Sequence, residues 1–238
     1  MIELRAVSKV FGIPHERRGT LLDRVIGRRR VYETLYALRD VSLSVRAGES
    51  VGFLGRNGSG KTTLLRLIAG IYPPTTGDVR VAGAVAPLLE LGVGFRGRLP
   101  VRDNVHLYGV LLGVPRDRLM READEILEAA GVARFADAAL ETLSTGLRMR
   151  LAYTVAMRSD APVLILDEAL AVGDETFQRR CRDDLARARA QGRTLLLVSH
   201  SAAEVSALCE RVVVLDAGRI HADGAPAETI AAYHRMLG

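Results

Sequence analysis

Eight consecutive residues, Gly55-Arg56-Asn57-Gly58-Ser59-Gly60-Lys61-Thr62, match G-x-x-x-x-G-K-[ST] at every fixed position, and this segment narrows the possible folds more than any other. The motif works only at a strand-to-helix junction. Here the largely apolar residues 50–54 lead into it, and residues 62–69 continue in a helical pattern. Glycines let the loop curl so that successive N–H groups converge on phosphate oxygens, while the helix N-terminus adds roughly half a positive charge. Lys61 is a compact cation able to reach the β- and γ-phosphates, and Thr62 offers a hydroxyl to Mg²⁺. Only Lys9 and Lys61 among the 33 basic residues are lysine, so a lysine at this point stands out. Gly55, Asn57, Gly58, Ser59, Gly60, Lys61, Thr62 and Thr63 are the candidate phosphate-binding residues.

A second segment, Pro162-Val163-Leu164-Ile165-Leu166-Asp167-Glu168, is an apolar strand that ends in two carboxylates. Asp167, at the C-terminal end of a strand, can hold the water shell of a magnesium ion. Glu168 stands one residue further, where a carboxylate orients a water for in-line attack on a terminal phosphate.

Around these segments the apolar runs 162–166 and 194–198 are each followed by a helical pattern, 175–190 and 202–209. Strand periodicity also covers residues 2–11 and 36–45, and Asp216-Ala217-Gly218 joins 212–215 to 219–222 as a hairpin. Alternating strands and helices imply an α/β fold with a mostly parallel sheet. Residues 100–158 interrupt that alternation with helical patterns broken near Pro115, Gly131 and Gly146, and should form their own lobe. With 238 residues, 48% hydrophobic and 26% charged, the chain can bury a core without staples, and wholesale disorder is excluded. Cys181 and Cys209 lack metal-ligand or framework spacing and read as buried thiols. Neither a secretory leader nor an apolar stretch of about 18–20 residues is evident. Charge is concentrated: Arg17, Arg18, Arg24, Arg28, Arg29 and Arg30 face only Glu16 and Asp23 in one short segment. Leu21, Leu22, Val25 and Ile26 give that segment the spacing of a short amphipathic helix started by Thr20.

Together these segments resemble the nucleotide-binding subunit of ABC transporters over nearly the whole chain. The resemblance implies one ATPase domain over residues 1–238: a P-loop NTPase with a mixed sheet core, an antiparallel β subdomain and a helical signature lobe at about residues 96–158. It carries a basic insertion at residues 12–34 and no C-terminal carbohydrate-binding domain. Leu143-Ser144-Thr145-Gly146-Leu147 stands where the family's LSGGQ signature would, departing at Thr145 and Leu147. In the family, the counterparts of Ser144 and Gly146 close on the γ-phosphate held by a second subunit, so ATP binding is a dimerisation event. His200, in Val198-Ser199-His200, matches the switch histidine, and Asp174, in Ala171-Val172-Gly173-Asp174, matches the D-loop that reaches across the dimer. The Q-loop glutamine is absent from Leu88-Leu89-Glu90-Leu91-Gly92-Val93-Gly94-Phe95. Glu90 is its best counterpart, toward both nucleotide and metal. Residues 95–104 would then seat the permease's coupling helix, with Phe95 and Leu99 in apolar contact. An aromatic after the first strand stacks on adenine; Phe11 fits by register and Tyr36 is the alternative.

The Glu90 loop, Leu170-Ala171-Val172-Gly173-Asp174-Glu175-Thr176-Phe177-Gln178 and the long insertion look like the ATPases of O-antigen, capsular-polysaccharide and teichoic-acid exporters. On that resemblance the catalytic residues are Lys61, Glu168 and His200, the metal lies at Thr62, Asp167 and Glu90, and the cofactors are ATP and Mg²⁺. The partners are a second ATPase copy and two permease copies at the cytoplasmic face of the membrane, with residues 17–30 directed at lipid headgroups or a glycolipid substrate. Importers and drug or lipid exporters share the same catalytic chemistry, and a non-transport ABC ATPase is a remoter alternative. A nucleic-acid partner is not expected: there is one phosphate loop, no sustained heptad repeat and no aromatic-interleaved basic stripe.

Overall fold

Strand residues in this chain sort themselves between two faces by simple alternation. In the computed structural model, which describes residues 1–14, 32–89, 91–167, 173–199 and 201–237, a six-stranded sheet runs in the order β5-β6-β7-β3-β8-β9. Its members are β3 (Ser50–Leu54), β5 (Val85–Leu88), β6 (Val163–Asp167), β7 (Thr194–Val198), β8 (Arg211–Asp216) and β9 (Arg219–Gly224). All neighbouring pairs are parallel except β8–β9. Val163, Ile165, Leu196, Val198, Val213 and Leu215 join one buried cluster, while Leu164, Leu166, Leu195, Leu197, Val212 and Val214 join the other. A sheet covered on both faces needs such continuous apolar runs, and each fully buried aliphatic side chain contributes about 1.5–3 kcal/mol.

The first cluster is closed by α1 (Lys61–Ile68) and by a three-stranded antiparallel sheet of order β2-β1-β4, from β1 (Ile2–Pro14), β2 (Tyr32–Val45) and β4 (Thr76–Val81). In β1 the alternation slips: Leu4 and Val7 both face the core although three residues apart. A bulge at Arg5–Ala6 makes this possible, with Ala6 at φ +48°. Backbone groups displaced from the ladder find side chains instead, Ala6 N–H on Ser42 Oγ and Asp40 N–H on Ser8 Oγ. Gly77 of β4 lies opposite, where a Cβ would fall 2.4 Å from the carbonyls of Arg5 and Ala6.

The second cluster is covered by α5 (Glu175–Ala190) and α6 (Ala202–Leu208), and α7 (Pro226–Leu237) packs at its edge. A third core belongs to the helical lobe of α2 (Val101–Leu111), α3 (Arg116–Ala129) and α4 (Thr145–Ala156), packed through Val105, Leu119, Ile126, Leu143, Leu151 and Val155. Buried Asn104 fixes the entry to this lobe, accepting from Arg96 N–H and donating to the Arg96, Leu99 and Pro100 carbonyls.

Several expectations need adjusting. Strands β4 and β5 were not anticipated, since Val85–Leu88 is too short to show a period. The break expected near Gly146 falls just before it: Ser144 Oγ accepts the Leu147 N–H and α4 starts at Thr145, so the glycine lies within its first turn. Pro115 and Gly131 do bound α3, the latter at φ +72°. Residues 12–14 pair with 32–34 in the β1–β2 ladder, so the insertion's first and last residues are strand rather than loop. Its expected short helix lies outside the described residues. At the β8–β9 turn, Ala217 and Gly218 both have positive φ, +44° and +78°, as a two-residue hairpin of the primed type requires. No described helix is long and apolar enough to cross a membrane.

Candidate active site

Strand β3 sits between β7 and β8 at the middle of the sheet, and every one of its residues is buried. The chain leaves it at Gly55 and turns into α1 through residues 56–60. The turn is held from behind. A Cβ on Gly55 would meet the Leu215 carbonyl oxygen at 2.3 Å, and one on Gly60, at φ +106°, would meet the Ala37 oxygen at 2.5 Å. Gly218 bridges the same region, donating to the Ser59 carbonyl at 3.0 Å and accepting the Arg39 N–H at 2.8 Å. The antiparallel sheet and the β8–β9 turn therefore clamp the loop, while a Cβ on Gly58 would face open space.

Above the loop is a cavity of about 610 Å³, lined by residues 57–63, Asp167, Val198, Leu89, Phe11 and Tyr36, a size suited to a small cofactor or nucleotide. Lys61, 7% exposed, donates through Nζ to the Gly55 and Arg56 carbonyls at 2.7 and 3.0 Å. Thr62 Oγ1 donates to Asp167 Oδ2 at 3.1 Å, joining the start of α1 to the end of β6 across 105 residues of sequence. No acidic side chain sits in the first turn of α1, so the helix's positive end is uncompensated by its own residues. Ser59 Oγ is buried with no hydrogen-bond partner among the described residues. An orphaned hydroxyl in a loop of curled amides fits an oxygen-rich anion. Thr62 with Asp167 is a pair of hard oxygen donors, the set Mg²⁺ takes alongside phosphate oxygens.

Residues 38–171, more than half of the chain, match the ABC transporter family. The chain belongs to that family. It is 34% identical over 242 residues to the O-antigen export system ATP-binding protein RfbB of Klebsiella pneumoniae, covering 100% of this chain and 98% of that one. It is 43% identical over 201 residues to the ABC transporter protein AbcA of Aeromonas salmonicida, covering 84% of this chain and 65% of that one. With the teichoic acids export ATP-binding protein TagH of Listeria monocytogenes it shares 31% over 236 residues, covering 99% of this chain and 70% of that one. The chain thus spans about two-thirds of AbcA and, at 46%, under half of an RfbB from Myxococcus xanthus. Among solved structures, a dimeric ATP-binding cassette in a post-hydrolysis state with ADP and Pi aligns at a TM-score of 0.76 and 22% identity, covering 95% of this chain and 99% of that one. That likeness confirms the α/β cassette fold.

The remaining candidate residues of the ABC chain fall into three groups. Phe11 and Tyr36 both line the cavity. Phe11 is fixed edge-on to Tyr72 (centroids 5.6 Å apart) with the Lys9 ammonium 5.1 Å from its centre, whereas Tyr36 is about half exposed under the Arg39 guanidinium. Ser144, Gly146 and Asp174 do not line the cavity. Ser144 and Gly146 lie at the exposed start of α4. Asp174 is engaged within its own chain, capping α5 through the Phe177 N–H and pairing with Arg150. The Phe177 amide, and Arg150 after it, hold its carboxyl below the usual range. Glu90, Glu168 and His200 lie outside the described residues, although Leu89, Asp167 and Val198, which precede them, reach the cavity wall. Ser199 is described: its hydroxyl donates to the Glu204 carboxylate and accepts the Ser201 N–H at 3.0 Å.

Phe95 is half-buried: its ring is tilted against Tyr108 with centroids 4.8 Å apart, and it packs against the lobe core from its edge. The apolar surface of this corner is carried by Val93, Val110 and Leu111, each more than half exposed. Sequence reasoning missed Arg150. The only available signal was its position four residues after Gly146 on a helical pattern.

Proposed function

We propose that this chain is the ATP-hydrolysing subunit of an ABC exporter that moves a lipid-linked polysaccharide, of O-antigen, capsule or teichoic-acid type, across the cytoplasmic membrane. The observation that carries the ATPase half is the Lys61–Thr62–Asp167 constellation at the mouth of one cavity. The O-antigen and teichoic-acid export names of relatives at 31–40% identity support the cargo.

On this reading each group has a task. Lys61 exchanges its two backbone carbonyls for β- and γ-phosphate oxygens, so it is already desolvated and aimed when the nucleotide arrives. Loop amides and Ser59 Oγ take the remaining oxygens. Thr62 and Asp167 would hold Mg²⁺, which when bound neutralises charge building on the leaving phosphates. Phe11, braced by Tyr72, offers a ring face to adenine. Glu168, one residue past Asp167, is the general base that orients the water, and His200 supports the γ-phosphate. Ser144 and Gly146, uncovered in the single chain, complete the site of a second copy, so two nucleotides lie between two chains. Exposed Val93, Val110 and Leu111 receive the coupling helix of the permease, of which two copies are expected, holding the ATPase at the cytoplasmic face. Arginines of residues 17–30 face anionic headgroups or the glycolipid itself, where attraction is worth about 1 kcal/mol per arginine.

The test is made with the ATPase and its genomically neighbouring permease expressed together. Lys61→Ala should abolish ATP binding, strip the glycan from the cell surface and leave it on the cytoplasmic leaflet. Surface glycan at the parental level in a strain whose ATPase is dead would sink the export reading. Reversing Arg28, Arg29 and Arg30 to Glu should lower export while basal hydrolysis persists; equal export would reduce that segment to a solvated loop.

A further inference from the structure

Of the two lysines among the 33 basic residues, Lys61 has its place at the phosphates, and Lys9 stands on β1 two residues before Phe11. The ladder between β1 and β4 ends at Ser8 and Thr76. Past that point the chain just before β4 holds β1: the Thr75 N–H donates to the Ser8 carbonyl at 2.8 Å, and Thr75 Oγ1 accepts the Val10 N–H at 3.0 Å. On the other side Val10 and Phe11 pair with Tyr36 and Leu35 of β2. Half-buried Lys9 sends its ammonium between two rings. Its Nζ lies 5.1 Å from the centre of Phe11 and 5.5 Å from that of Tyr72, and it donates to the Pro73 carbonyl at 2.8 Å. The two rings meet edge to face, their planes 74° apart. Tyr72 is fixed in turn from α1, the helix that carries Lys61 and Thr62. Arg66 Nη1 donates to the Tyr72 hydroxyl at 3.3 Å, and the guanidinium carbon is 5.6 Å from the ring centre.

The strand does not need Lys9 to stay in place, because the Thr75 bonds and the β2 ladder already hold its backbone on both sides. What Lys9 adds is a charge against two ring faces, each of which attracts it. We propose that Lys9 is a positioning residue of the nucleotide site. Lodged between Phe11 and Tyr72, it holds the Phe11 ring at a fixed offset from α1, and so sets where a base lies once its phosphates are in the loop. The proposal rests on the ATP reading above, with Phe11 as the ring that receives adenine. A ring immobilised beforehand loses no rotamer freedom when a base stacks on it. Lysine suits the notch because its ammonium is a compact point charge, whereas a planar guanidinium lies flat on a ring. Arg39 shows the contrast on the neighbouring strand, where its guanidinium carbon sits 4.5 Å from the centre of the Tyr36 ring.

The experiment uses the full chain with Mg²⁺ and compares, by equilibrium titration, ATP with inorganic tripolyphosphate, which meets the loop but carries no base. Steady-state hydrolysis and thermal melting run alongside. Lys9→Met should weaken ATP binding about three- to tenfold, while tripolyphosphate affinity stays within about twofold and melting stays near the parent's. KM for ATP should rise by the same factor and kcat fall by less than about twofold, the mark of binding lost equally from ground and transition states. Lys9→Gln, which keeps a polar end beside Pro73 without the charge, should behave as Lys9→Met does. In a Phe11→Ala background Lys9→Met should cost ATP affinity nothing more, since both changes act through one ring. Parental ATP affinity in either Lys9 variant would overturn the proposal, as would losses that add to those of Phe11→Ala. So would a joint fall of ATP affinity, tripolyphosphate affinity and melting temperature, which marks a brace for the strand alone. Phe11→Ala separates the two levels. Parental ATP affinity there means that the base lies elsewhere and the adenine reading has failed; a loss there with none in Lys9→Met fails the Lys9 placement alone.

Discussion

The phosphate loop and the start of α4 are both glycine-bearing turns at a helix N-terminus, and they are built in opposite ways. Behind the loop, Leu215 and Ala37 carbonyls stand where Cβ atoms on Gly55 and Gly60 would fall, and Gly218 ties it to its neighbours. At Gly146 no atom of the described residues lies within 4 Å of a Cβ, and Ser144, Thr145 and Gly146 are all exposed. A loop that must wrap a highly charged ligand needs its amides fixed beforehand, since reorganisation at the moment of binding weakens every bond it makes. An edge whose ligand arrives on another chain needs the reverse, an uncovered backbone that a second surface can approach. On the proposed two-chain reading, the loop is a half-site finished by folding and the start of α4 one finished by assembly.

The sharpest way to break it is at the chemistry of the finished half. Glu168→Gln should leave nucleotide binding intact, lower turnover by about 10²–10⁴, and trap a stable ATP-bound dimer visible by size-exclusion chromatography. Turnover near the parental rate would remove Glu168 as the base. Next in size is the scaffold: Gly60→Ala forces a side chain into φ +106° and onto the Ala37 carbonyl, costing about 1–3 kcal/mol from the backbone conformation alone. Thermal melting and nucleotide titration should both weaken, and a variant matching the parent in both would show that the loop is not braced.

The open half predicts a dissociation of effects. Gly146→Ala should hold or raise stability by up to about 1 kcal/mol, because alanine is the better helix former, yet abolish ATP-dependent dimerisation. A dimer that forms normally would mean that this edge meets no second nucleotide. The smallest effect belongs to the core on which both halves rest. Burial pushes the Cys181 thiol up to about 11 and Cys209 to about 12, and a thiol reacts as its thiolate. Iodoacetamide at pH 8 should therefore leave both unmodified in the folded chain and label both after denaturation.

Much of this was legible beforehand. Gly55–Thr62 carries its chemistry within eight residues, and the apolar runs 162–166 and 194–198 were legible as strands before any partner was known. Ser144 and Asp174 were legible as family positions, but their local work as helix caps was hidden, because a cap depends on where the helix begins. Phe95 was legible only as an apolar residue beside a charged loop; that it sits half-buried against the Tyr108 ring of α2 is seen only in the structure.

What the sequence determined by itself is the strand–loop–helix at Gly55–Thr62, the sheet-and-helix alternation and the choice of candidate phosphate-binding groups, because each depends on residues a few positions apart. What only the tertiary structure decided is the bulge at Ala6, the clamp of Ala37 and Gly218 on the loop, the Thr62–Asp167 bond and the Arg150 link to Gly173–Asp174. Except for the bulge, these join segments between 23 and 181 residues apart in sequence, and the bulge itself is set by the strands pairing on either side. Local periodicity specifies which face a side chain takes, not which distant backbone arrives to meet it; that is settled by how three separate cores pack.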